Sequence, residues 1–109
     1  MKILINDLNE FYTDRVRLVK RLLKRESLQE YPELLKWALL MLYFNGEKWI
    51  EICRIDNYIH QNQQGSHMHI EKDVKRMELS FEGAEQVIKQ ISARILREKF
   101  QYIINFGDE

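Results

Sequence analysis

The segment LLKWALLMLYFNGEKWIEICRI, residues 34–55, decides the fold. Its apolar run, Leu34 to Phe44, is too continuous for periodicity to separate helix from strand, so the residues after it have to break the tie. Asn45-Gly46 is a strong hairpin signal, because both residues tolerate the positive φ that a tight turn needs. Lys48 to Ile55 then has the β-branched and aromatic composition of a strand. A β-hairpin with a two-residue loop is expected, pairing Phe44 with Glu47, Leu42 with Trp49, Leu40 with Glu51 and Ala38 with Cys53 on one face. On the other face Trp37, Leu39, Met41 and Tyr43 would join Lys48, Ile50, Ile52 and Arg54. Both faces of the first strand are apolar, which predicts a strand inside the sheet, covered on both sides by helices or by a partner subunit.

Toward the amino terminus, Asp7 and Glu10 have capping-box spacing ahead of Leu8, Phe11, Tyr12, Val16, Val19, Leu22 and Leu23. This pattern predicts an amphipathic helix of about five turns, ended before Pro32. Arg17, Lys20, Arg21, Lys24 and Arg25 would form a basic stripe on its outer face. Such a stripe is either an ordinary solvated helix face or a surface for nucleic acid or an acidic partner.

Toward the carboxyl terminus, Asn57 to Gly65 is polar and reads as a loop. Ser66 to Glu71 and Val74 to Leu79 read as two short strands about a turn at Lys72-Asp73. Ser80 fits a helix N-cap, and Phe81, Ala84, Val87, Ile88, Ile91 and Ile95 carry a long helix to about Phe106. Leu96, Phe100, Ile103 and Ile104 widen its apolar band and predict a homodimer contact. The expected fold class is therefore α+β: an N-terminal amphipathic helix, a mainly antiparallel sheet of about four strands built on the Asn-Gly hairpin, and a long C-terminal helix, all in one domain over residues 1–109.

Seventeen basic and seventeen acidic residues cancel, so any patch that attracts a polyanion must be local. The single cysteine, Cys53, cannot form an internal disulfide, and no signal-like or membrane-length apolar run is seen. A cytoplasmic protein without a membrane partner is expected.

All three histidines, His60, His67 and His69, fall between Arg54 and His69, near Asp56 and Asn57. His67 and His69 lie two apart on an expected strand and so point to one face. Three uses fit. In acid–base cleavage of RNA, one neutral imidazole takes the ribose 2′-hydroxyl proton while a protonated one supplies a proton to the leaving oxygen. His60 or His67 would pair with His69, Arg54 would hold the phosphate, and Asp56 would orient one ring and favour its charged form. Alternatively, His67 and His69 with Asp56 or Glu71 would make a metal shell, the lesser expectation; no cofactor is the leading one. In the third use the histidines are hydrogen-bonded at a sheet edge without chemistry. Gly65-Ser66-His67-Met68 also matches a string left by tag cleavage, but it stands mid-chain and another histidine comes after it.

The hairpin with its Asn-Gly-Glu turn, the strand ending Arg-Ile-Asp56-Asn57, the loop with Gly65, His67-Met-His69 and the closing Leu-Ser-Phe-Glu together resemble the TumE-like toxins of prokaryotic toxin–antitoxin pairs. The similarity spans about Trp37 to Ile95. Ile55 stands where that family has Tyr, the loop before the histidines is longer, and Met68 replaces a usual basic residue. Neighbouring families of unknown role share similar His-x-His segments. The resemblance implies a small cytoplasmic toxin acting on RNA, a co-encoded antitoxin as partner, and functional roles for Asp56, Asn57, His67 and His69. A rival from another class is a non-catalytic homodimeric module that binds a protein or nucleic acid through Arg17 to Arg25.

Overall fold

The computed structural model describes residues 1–59 and 64–107. Six strands, β1 (Lys2–Thr13), β2 (Val16–Lys24), β3 (Leu35–Phe44), β4 (Trp49–Asp56), β5 (Ser66–Ile70) and β6 (Asp73–Met77), form one sheet, followed by a helix, α1 (Phe81–Phe100). Every strand pairs antiparallel with its neighbour in sequence, in the order β1-β2-β3-β4-β5-β6. The helix lies across β3 and β4 on one face.

The expected N-terminal helix and four-stranded sheet are overturned: residues 2–24 form a hairpin, and the sheet has six strands. Strand periodicity is present in Val16, Leu18 and Leu22, which point toward α1, while Arg17, Val19, Arg21 and Leu23 point away. Lys20 interrupts the inward series and hides it. Its ammonium is held beneath the helix by Glu10 at 2.9 Å and Glu85 at 3.4 Å, so a cation occupies a core-facing site. Asp7 caps nothing. It sits at φ 49° in a bulge between Ile5 and Leu8 and pairs with Arg21 through contacts of 2.8 and 2.7 Å.

The β3–β4 hairpin forms, with a different register from the one expected. Gly46 takes φ 104°, and the Asn45 side-chain oxygen accepts from the Glu47 and Lys48 amides, so Phe44 pairs with Trp49 instead of Glu47. A second irregularity lies further along: Leu42 faces Glu51 but Met41 faces Cys53, leaving Ile52 as an extra residue. Ile52 and Cys53 are both buried, and burial pushes the Cys53 thiol up to about 12. This bulge reverses the facing of the rest of β4. Arg54, expected beside Met41 and Leu39, instead shares a face with Leu40.

The covered face is built from Val16, Leu18, Trp37, Leu39, Met41, Tyr43, Ile55 and Met68, against Phe81, Ala84, Ile88 and Leu96 of α1. Only one side of β3 is thus helix-covered, not both. Ser66 and Met68 belong to β5, where the Ser66 hydroxyl accepts from the Leu79 amide at 3.0 Å. The β5–β6 turn falls at Glu71-Lys72, with Glu71 at φ 55°, one residue earlier than expected.

Ser80 caps α1 by accepting from the Gly83 amide at 3.0 Å. The helix stops at Phe100, short of Phe106, because Gln101 turns left-handed and the Tyr102 amide returns to Leu96. The chain then folds back: Tyr102 meets Tyr43, and Phe106 meets Tyr12 edge-on at 4.8 Å. Of the residues read as a dimer band, Leu96 is fully buried in its own core, Phe100 and Ile104 pack against that core, and Ile103 is exposed. Among the described residues, no helix is long and apolar enough to cross a membrane.

Candidate active site on the open sheet face

The face away from α1 is organised in rows across the strands. One row runs Asn9, Val19, Leu40, Arg54, His69 and Val74; the next runs Arg21, Ala38, Asp56, His67 and Arg76. The bulge in β4 and the short β4–β5 ladder create this arrangement, setting Arg54 opposite His69 and Asp56 opposite His67. Asp56 is the hub. Its Oδ2 lies 3.1 Å from Arg54 Nε and 3.5 Å from His69 Nε2, and its Oδ1 accepts from the Tyr58 amide at 3.1 Å. Exposure grades across the group: the Asp56 side chain is 1 % exposed, that of His69 13 % and that of Arg54 38 %, while residue His67 is 1 % exposed. The arrangement offers a buried carboxylate that fixes a cation and an imidazole side by side, the cation being the more exposed of the two.

Asn57 does something else. Its side chain accepts from the Trp37 amide at 2.8 Å and donates to the Leu35 carbonyl at 2.7 Å, while its own carbonyl accepts from the Tyr31 hydroxyl. It clamps the start of β3 to the end of β4, a structural task for a buried amide. His60 lies outside the described residues. Among the described residues, no three His, Cys, Asp or Glu side chains are grouped to hold a metal, and Glu71 instead pairs with Lys99.

A cavity of about 240 Å³ opens beside the cluster, with Val19, Ala38 and Leu40 as its floor and Asp7, Arg21, Arg54, Asp56 and Tyr58 around it. Tyr58 was not among the expected site residues; its position two after Asp56 was the available signal. The basic series is divided by the strand. Arg17 and Arg21 stand on the open face, whereas Lys20 is under the helix. Arg25 is spent on the carbonyls of Tyr31 and Pro32, and Lys24 is exposed at the end of β2. Comparison with protein-family models, with curated proteins and with solved structures finds no match to this chain.

Proposed function

We propose that this chain is a toxin-type ribonuclease that cleaves RNA by acid–base chemistry without a metal, and that its partner is a cognate antitoxin. The observation that carries the reading is the convergence of Arg54, Asp56, His67 and His69 on one sheet face, with Asp56 touching both the cation and an imidazole. His69, the more exposed ring, takes the proton from a ribose 2′-hydroxyl. The oxygen so freed attacks the adjacent phosphorus, forming a 2′,3′-cyclic phosphate. The bond to the 5′-oxygen breaks, and that oxygen leaves with a proton from His67, relayed through one water because that ring is 1 % exposed. Arg54 neutralises the charge gathering on the non-bridging oxygens. Asp56 positions His69 and holds Arg54 against it.

The test is cleavage of a mixed-sequence RNA in excess chelator, alongside growth of cells that express the protein alone. Wild type should cut and arrest growth. His69→Ala should slow cutting by about 10²–10⁴-fold and restore growth, with its unfolding curve close to wild type. Chelator-sensitive cutting, or equal cutting and growth for wild type and His69→Ala, defeats the reading.

A further inference from the structure

The open face carries a second cluster, one that the histidine chemistry does not use. In the rows beyond Leu40 stand Phe44 with Trp49, and Phe11 with Arg17, Leu42 and Glu51. Trp49 meets Phe44 at 5.4 Å and Phe11 edge-on at 6.1 Å, and the Arg17 guanidinium lies 4.4 Å from the Trp49 ring. Phe11 is 58 % exposed. Arg17 donates to Asn9, and among the described residues no carboxylate pairs with it. Of the two arginines beside the cavity, Arg21 pairs with Asp7 and Arg54 with Asp56. Glu51 is the acidic residue in the aromatic rows.

We infer that Phe11, Arg17 and Trp49 form a base-stacking subsite that makes single-stranded RNA the substrate, its strand running across the open face from this platform to Arg54 and His69. This rests on the ribonuclease reading above. Four residues along β3, Phe44 to Leu40, separate the platform's far row from the row of Arg54, a distance of about 13 Å at strand rise. That span lies within the footprint of a few nucleotides. An exposed ring and a stacked guanidinium offer flat surfaces to bases that are already unstacked, and bases inside a duplex cannot reach them. Leu42 and Leu40 give the path between the two clusters an apolar floor on which sugars and base edges can lie.

Binding can be read separately from cutting. Trp37 is buried in the core, so quenching of tryptophan emission by an added strand reports on Trp49. The probe is an eight-nucleotide 2′-O-methyl RNA, which lacks the nucleophilic hydroxyl, offered single-stranded and as a duplex. The single strand should quench and bind at least tenfold more tightly than the duplex. Phe11→Ala, at an exposed position, should weaken it by roughly fivefold or more while the protein stays folded. If wild type quenches with the single strand but cuts no RNA, the chemistry has failed and the subsite stands. Equal affinity for duplex and single strand overturns the inference, as does unchanged binding by Phe11→Ala. A dimer in sedimentation that Phe11→Ala dissociates overturns it too, because the platform then seats a second copy.

Discussion

The two faces of this sheet are made by the same strands and have opposite characters. On the α1 side, Val16, Leu18, Leu39, Met41 and Ile55 are fully buried and the Lys20 ammonium is locked between Glu10 and Glu85. On the other side, Val19, Leu40, Leu42 and Phe44 are only half-buried and are interleaved with Arg17, Arg21, Arg54, Asp56, His67 and His69. The packed core belongs to one face and the polar cluster to the other. One extra residue, Ile52, lets β4 serve both: it adds an apolar side chain to the core and turns Arg54 and Asp56 outward. Regular alternation from Trp49 onward would have sent Arg54 beneath the helix.

The sharpest way to break this contrast is to make the same change on neighbouring residues of β3. Leu39→Ala removes a fully buried side chain and should cost about 3 kcal/mol in urea unfolding, whereas Leu40→Ala, on the open face, should cost about 1 kcal/mol or less. Similar losses would mean that the open face is as tightly packed as the covered one.

A smaller effect separates the two ion pairs. Lys20→Met leaves Glu10 and Glu85 without their shared cation under the helix and should destabilise by about 1–2 kcal/mol. Arg21→Met breaks a pair in which both side chains are over two-fifths exposed, and should cost under about 0.5 kcal/mol. Thermal unfolding at low and high salt would rank them, with the order reversed if the covered pair is no better shielded than the open one.

The smallest expected effect is on acid sensitivity. The hydrogen bond from Lys20 holds Glu10 below its ordinary 4.5, and that from Arg21 holds Asp7 below its ordinary 3.8. A carboxylate whose folded value is depressed contributes stability above its unfolded value and loses that contribution as pH falls through the folded one. Melting temperature should therefore decline below about pH 4.5, and less steeply in Lys20→Met. An equally steep decline in that variant would remove Glu10 as a source of the slope.

Much of the second half of the chain was legible because its signals are local. Asn45-Gly46 marked a turn, Ser80 a helix start, and His67 with His69 a strand with one outward face. The first half was misread for a physical reason: Lys20 occupies an inward site, and Val19 and Leu23 occupy outward ones, so a two-residue alternation blurred into helical spacing. The capping-box spacing of Asp7 and Glu10 was coincidental, each carboxylate meeting a cation across the hairpin. At the site, the sequence brought Arg54, Asp56 and the histidines together but not the bulge that orients them, since nothing in Glu-Ile-Cys-Arg announces an extra residue. Asn57 looked chemical and proved to be a clamp, because an amide's hydrogen bonds to backbone 20 and 22 residues away leave no local mark.

The order of the strands in the sheet is also their order along the chain. Each hairpin can close as soon as its second strand leaves the ribosome, with no wait for a distant partner and little loop entropy to overcome. The helix that covers the apolar face is made after all six strands. Until residues 81–100 emerge, Leu18, Leu39, Met41 and Ile55 line a bare sheet, and this is the interval in which the nascent chain is most prone to stick to its neighbours.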